Sequence, residues 1–358
     1  MTVFMTGFPG FLGSALLPRI LRRTECDAMC LVQSQFADVA RQRVAELCTA
    51  DATLEGRIRL VTGDITQPGL GLDPHTLDGV TEAWHLAAIY DLAVARDVAF
   101  RVNVDGTRNV LDAFARCSTM TRLHYFSTCY VSGRFAGPFG EDDLDVGAPF
   151  NNFYEETKHL AEVDVRSRMS DGLPATIYRP SIVVGDSRTG ATLKYDGPYF
   201  LIQWLLRQGR YAVVPTVGDP TATRFNVVPR DFVIDAVEHF SGLAISEGRT
   251  YQLADPSPLT VLELTAALAR ATDRHTVKIP LPRKAARTAI ARVPGLYPLM
   301  KIPAEAVDYF THPTHYLTDH CRADLAGSGI EVPALPTYVG HLVQFMRNHP
   351  EIGSAAMS

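Results

Sequence analysis

The chain has 358 residues, 46% of them hydrophobic and 20% charged, with a formal charge of −5. That balance excludes a disordered polymer and suits a large α/β domain with a smaller companion better than one undivided core. There is no basic field or motif for nucleic acid, and no apolar run long enough to span a bilayer. Six scattered cysteines without CxxC spacing, and no secretory leader before the first strand, read as reduced thiols in a cytoplasmic protein without a metal site.

Strand-like apolar runs fall at Val3–Met5, Ala28–Val32, Ile58–Thr62, Ala83–Ala87, Leu123–Ser127 and Thr176–Tyr178. Helical spacing separates them at Ala37–Cys48, Val98–Cys117 and Tyr154–Met169. This alternation predicts an α/β fold with a doubly wound parallel sheet, a Rossmann domain over residues 1–185. Beyond Gly185 shorter, Pro- and Gly-rich pieces predict a discontinuous substrate-binding region, 186–224 and 257–350. Phe225–Phe240 and residues 250–256 return to the first domain, and 351–358 form a loose tail.

The first strand runs into Thr6-Gly7-Phe8-Pro9-Gly10-Phe11-Leu12-Gly13 and then a helix. Gly7 permits a tight turn, Gly10 lets backbone approach a pyrophosphate, and Gly13 allows close packing of helix on strand, so the helix start can receive phosphates. Pro18 falls inside that helix and should kink it. Tyr154 and Lys158 lie four apart on a predicted helix and share a face, where an ammonium would lower the pKa of a phenol that protonates a carbonyl oxygen.

The opening loop resembles the fingerprint of extended short-chain dehydrogenases/reductases. So do Gly63-Asp64-Ile65, His85-Leu86-Ala87-Ala88, Asn103-Val104-Asp105-Gly106-Thr107 and Tyr154-x-x-x-Lys158, in that order. The resemblance implies that Asp64 and Ile65 sit beside the adenine, that Ala87, Ala88 and Asn103 line the dinucleotide, and that Pro180 and Ile182 border the nicotinamide. It also implies that Lys158 holds the nicotinamide ribose. Within Ser127-Thr128-Cys129-Tyr130-Val131-Ser132-Gly133 the same pattern makes Thr128 the hydroxyl that holds the substrate oxygen, with Ser127 second. Cys129 and Tyr130 stand where a dehydratase would carry acids, which disfavours elimination.

An acid closing the second strand would select NAD, and a base NADP. Leu31-Val32-Gln33-Ser34 has neither. Gln33 departs from the Leu-Val-Arg of related acyl reductases, and either Arg41 or Arg43 on the next helix could supply the charge unless both are solvated. NADP(H) is favoured over NAD(H).

Tyr178–Gly185 and Asn226–Val233 resemble the fatty acyl-CoA reductase and thioester reductase branch, the male sterility type. That resemblance implies a reductase delivering hydride to a small hydrophobic carbonyl: an aldehyde, a ketone, or an acyl thioester on coenzyme A or a carrier protein. A hydroxysteroid-type dehydrogenase or sugar-nucleotide epimerase is the alternative, and a non-catalytic dinucleotide-binding regulator ranks lower. Tyr195, Tyr199 and Trp204, after the last cofactor strand, would join Cys129 and Tyr130 in the substrate pocket, although Phe200 and Trp204 equally fit one helix's buried stripe. His312 and His315 read as a structural turn. Arg283–Lys301, with five bases and no acid, is a lid, or a peripheral contact with an anionic membrane or a phosphate-bearing arm. A homodimer is compatible with all of this.

Overall fold

The computed structural model describes residues 2–23, 25–282 and 304–353. Its centre is a seven-stranded parallel sheet. The strands are β1 (Thr2–Thr6), β2 (Asp27–Val32), β3 (Ile58–Thr62), β4 (Val80–His85), β5 (Arg122–Phe126), and two contributed later in the chain. Those two are β7 (Ala175–Pro180), which follows the short β6 (Gly137–Phe139), and β11 (Thr250–Leu253). The spatial order is β3-β2-β1-β4-β5-β7-β11. β7 and β11 have no exposed residue, and their buried polar members Arg179 and Gln252 are hydrogen-bonded, whereas edge strand β3 is partly open.

Alternation along β1 distributes the core. Val3 and Met5 face α1 (Phe11–Arg23), packing with its Leu16, Leu17 and Ile20. Phe4 faces the other way, with Val110, Leu111 and Phe114 of α4 (Gly106–Phe114) and with Ala161 and Val165 of α5 (Phe153–Ser170). Helix α2 (Ala37–Ala50) covers β2 and β3. The long helix expected from Val98 is interrupted: α3 (Arg96–Ala99) passes through a π-helical stretch, Phe100–Asp105, into α4. Pro18 does not break α1; it is buried among Leu17, Ile20 and Leu21, whose burial offsets one lost hydrogen bond.

Residues after β7 build a second apolar body beside the sheet. β8 (Ile182–Val184), α6 (Tyr199–Leu206), β9 (Tyr211–Val217), β10 (Val227–Pro229), α7 (Arg230–Ser241), α8 (Val261–Ala271) and β12 (His275–Leu281) lie here in chain order. β13 (Thr314–Tyr316), α9 (Asp319–Leu325) and α10 (Leu335–Asn348) follow. Pairs β8–β10, β9–β12 and β6–β13 are all parallel. Helix α7 returns to the first core through Val233, Val237 and Phe240. The second core joins Tyr199, Ile202 and Leu205 of α6 to Leu264 and Leu268 of α8 and Leu342 and Val343 of α10. Residues 351–353 are pinned rather than loose, because Ile352 packs on this core and the Gly353 carbonyl accepts the Tyr195 amide at 2.9 Å. The basic segment Arg283–Lys301 lies outside the described residues.

Candidate active site

The strand order reverses direction at β1, which pairs with β2 on one side and β4 on the other, so the loops after β1 and β4 part and leave a crevice. A cavity of about 470 Å³ occupies it and continues toward the second core.

At the crevice floor Gly7 has φ +86°, and a Cβ there would lie 2.8 Å from the Ala87 amide. A Cβ on Gly10 or Gly13 would lie 2.7 or 2.6 Å from the Gly7 carbonyl oxygen, so all three glycines answer to one crowded point. Helix α1 then starts with no acid in its first turn, and Gly10, Phe11, Leu12 and Gly13 line the cavity. Free first-turn amides, a positive helix end and no competing carboxylate fit a dinucleotide pyrophosphate.

A buried polar chain fixes this loop to β4. The Thr6 hydroxyl donates to His85 Nδ1 at 2.8 Å and accepts the Ala87 amide at 3.1 Å. His85 Nε2 donates to Thr107 Oγ1 at 3.1 Å, and Thr107 donates to the Asn103 carbonyl at 2.7 Å. Burial drives the His85 pKa down to about 3, so the ring is neutral and can play both parts. Asn103, expected on the dinucleotide, does not line the cavity. Its side chain is engaged behind the wall, accepting the Ile89 amide at 2.9 Å and donating to Thr157 at 3.0 Å.

Leu31, Val32, Gln33, Phe36, Asp64 and Ile65 line one end of the cavity. Arg41 does not. α2 turns it to solvent, where it pairs with Asp38 one turn earlier. Arg43 pairs with Glu46 at 2.7 Å.

At the other end the chain leaving β5 brings Ser127, Thr128 and Tyr130 to the cavity, which Pro180, Ile182, Ala87 and Ala88 also line, and the Thr128 hydroxyl donates to the Pro180 carbonyl at 3.4 Å. Asn152 caps α5 by accepting the Glu155 amide at 3.0 Å, which sets Tyr154 in the first helical turn and Lys158 one turn on, both facing the cavity. Burial raises the Tyr154 pKa, and a hydrogen bond with the Thr128 side chain opposes that rise. Lys158 Nζ donates to the Phe126 carbonyl at 2.6 Å and to the Tyr125 hydroxyl at 3.0 Å. Burial brings its pKa down to about 7, against the pull of Glu162. The ammonium is thus bonded to β5, and the depressed phenol pKa expected from sequence spacing is absent.

Ser127 is committed elsewhere, donating to Glu162 at 2.6 Å. Glu162 is buried against Arg179 at 2.6 Å and Arg166 at 3.0 Å. Arg179, fully buried, also donates to the Asp143 carbonyl at 2.6 Å. Sequence reasoning gave Arg179 no role; this ion pair ties α5 to β7 beneath the Ser127–Thr128 turn.

The second half of the cavity is apolar, lined by Leu92, Tyr130, Phe225, Tyr309 and Phe310, with Lys194 and Asp196 as its charged members. Four residues expected here are elsewhere. A 3-10 turn over Cys129–Ser132 points Cys129 inward, its thiol donating to the Arg179 carbonyl at 3.0 Å and held protonated by burial. Tyr195 and Tyr199 belong to the second core, their hydroxyls joined to the His349 carbonyl at 2.9 Å and the Gly185 amide at 3.0 Å. Trp204 packs on that core and donates to the Val213 carbonyl at 2.7 Å. The aromatic run is therefore a buried stripe, not a pocket wall. Lys194 and Asp196 were missed although a signal existed: Thr192, Lys194 and Asp196 alternate with exposed Leu193 and buried Tyr195, the period of an extended segment. His312 meets the Tyr130 ring edge to face at 4.9 Å and bonds the Tyr316 hydroxyl at 2.8 Å; among the described residues no cluster of His, Cys, Asp or Glu could hold a metal.

A parallel sheet with this order and a glycine turn at its switch point define a dinucleotide-binding Rossmann-type domain, and Thr128, Tyr154 and Lys158 line the same cavity as that turn. Residues 5–237 match the family described as male sterility protein, and the chain belongs to that family. It is 28% identical over 280 residues to a component of the linear gramicidin synthase of Brevibacillus parabrevis, covering 74% of this chain and 5% of that protein. It is 27% identical to the 2-alkyl-3-oxoalkanoate reductase of Stenotrophomonas maltophilia over 85% of this chain and 86% of that one. The terminal R domain of the myxalamid PKS-NRPS pathway superposes with a TM-score of 0.82 at 26% identity, covering 98% of this chain and 91% of that one. The chain spans between 5% and 35% of the length of the peptide synthetases it matches. Among the described residues no helix is long and apolar enough to cross a membrane.

Proposed function

We propose that this protein uses NADPH to reduce the carbonyl of a hydrophobic acyl thioester or aldehyde. The observation that carries the reading is that one cavity joins the Gly7–Gly13 turn to Thr128, Tyr154 and Lys158 and then to an apolar wall of Leu92, Tyr130, Phe225 and Phe310. The reduced nicotinamide supplies hydride when bound. Thr128 holds the carbonyl oxygen, and Tyr154, kept protonated by burial, donates its phenolic proton to that oxygen as negative charge develops there. Lys158 orients the nicotinamide ribose and offsets the negative charge left on Tyr154. Relatives from peptide assembly lines, such as the gramicidin synthase, favour an activated acyl group.

NADPH is preferred because Gln33, not a carboxylate, follows β2 at the cavity. Arg230 stands nearby, its guanidinium 5.0 Å from the centroid of the Phe11 ring that lines the cavity, although Asp186 at 3.7 Å partly balances its charge. The test follows oxidation of NADPH and NADH with octanal, octanoyl-coenzyme A and a 3-ketosteroid. Turnover of octanal or its thioester with NADPH, lost in Tyr154→Phe, is the expected result. Turnover indifferent to Tyr154→Phe removes the mechanism, and turnover of the steroid alone removes the substrate class.

A further inference from the structure

Lys194 and Asp196 stand in the apolar half of the cavity, on the segment that alternates between cavity and core. Lys194 Nζ lies 3.1 Å from Asp196 Oδ2 and 4.4 Å from the centroid of the Tyr90 ring, and it donates to the Tyr90 carbonyl at 3.5 Å. The Tyr90 ring in turn meets Tyr154 edge to face at 5.0 Å. One aromatic ring therefore separates this ion pair from the proton donor. The two side chains are 21% and 18% exposed, and both line the cavity.

A charge pair among Leu92, Tyr309 and Phe310 is costly to desolvate and contributes little stability that packed apolar side chains would not. A carboxylate offers about four acceptor positions, of which the Lys194 ammonium and the Asp196 backbone amide take two here, and an ammonium offers three donors. A plain alkyl chain laid along this wall would leave that capacity unmet. A chain bearing a hydroxyl or amide N–H would meet it with a charge-assisted hydrogen bond.

Resting on the carbonyl-reductase reading above, we propose that Lys194 and Asp196 form a specificity-determining pair that selects substrates carrying a hydrogen-bond donor, O–H or N–H, a few bonds from the reacting carbonyl. Asp196 accepts the donor, and Lys194 holds the carboxylate in place from Tyr90. The reduced product keeps the same substituent, so stable alcohols report the selection without turnover.

The experiment measures binding of 1-octanol, 1,3-octanediol and N-(3-hydroxypropyl)hexanamide to the NADPH-loaded protein by calorimetry, beside octanal turnover. The diol and the amide separate a hydroxyl source of the donor from an N–H source. At least one should bind about tenfold more tightly than 1-octanol, as expected for a hydrogen bond to a charged group. That ratio should collapse in Asp196→Asn and in Lys194→Met. A purely structural strap would instead weaken all three ligands together and lower the melting temperature. Equal affinity of the wild type for all three overturns the proposal even if neither variant folds, as does a preference that survives both substitutions. Octanal turnover without donor preference overturns the pair's role and leaves the reductase standing. Absence of turnover with any carbonyl, and of alcohol binding, overturns both.

Discussion

Tyr154 and Lys158 stand one turn apart on α5 yet live in different electrostatic settings. The phenol is raised by burial and the amine lowered to about 7 by the same cause. Tyr154→Phe keeps the ring packed against Tyr90 and removes the hydroxyl that donates the proton, so kcat should fall by at least about 100-fold while NADPH affinity changes little. Stopped-flow turnover and fluorescence titration of NADPH check the two halves. Lys158 carries its proton in the free protein below about pH 7. If the ammonium is the working form, kcat/KM should be level under that pH and fall about tenfold per unit above it, a limb Lys158→Arg should move upward. Stability should run the other way. In the unfolded chain the amine keeps its proton to about 10.5, so between about 7 and 10.5 unfolding takes up a proton and rising pH favours the folded state through this group. A melting temperature that rises across that window in the wild type and not in Lys158→Met is the expected outcome.

At the scale of elements, the turn after β5 is held from below by Glu162 of α5 and Arg179 of β7, which are both fully buried. Arg179→Met leaves Glu162 with Arg166 as its remaining cation and should lower unfolding free energy by about 3 kcal/mol, read from urea denaturation. Strands β1, β2 and β3 were legible as short apolar-rich runs between helical segments, and they lie within a residue of where periodicity puts them. Tyr154 and Lys158 were legible because helical spacing fixes which residues share a face. The aromatics from Tyr195 to Trp204 were not: i, i+4 spacing describes a buried stripe and a pocket wall equally, and only the packing of α6 on α8 and α10 decides between them. Cys129 was misplaced for a related reason, since one 3-10 turn after a strand reverses the alternation that would have aimed it at the cavity. Arg41 shows the limit for charges, because a helix-face arginine with an aspartate one turn away satisfies itself locally.

Across the whole molecule, the cavity lies where the sheet's crevice meets the second apolar body, so its walls come from both: Gly7–Gly13, Ala87 and Tyr154 on one side, Phe225, Tyr309 and Phe310 on the other. A ligand that fills the cavity bridges the two cores and binds the folded arrangement alone, which couples occupancy to global stability. At a hundredfold excess over its Kd such a ligand adds about 2.7 kcal/mol, enough to raise the melting temperature of a chain this size by several degrees. If Gln33, in place of a carboxylate, favours the 2′-phosphate, NADPH should produce a larger shift than NADH at equal concentration. Gln33→Glu should narrow or reverse that difference, because it places a carboxylate where the cavity meets the residue after β2. Gly13→Ala should abolish both shifts, since its methyl group would press on the Gly7 carbonyl that shapes the turn. Equal shifts for the two cofactors in the wild type would assign the adenosine end no preference. Shifts that survive Gly13→Ala would mean that the dinucleotide does not rest on this turn.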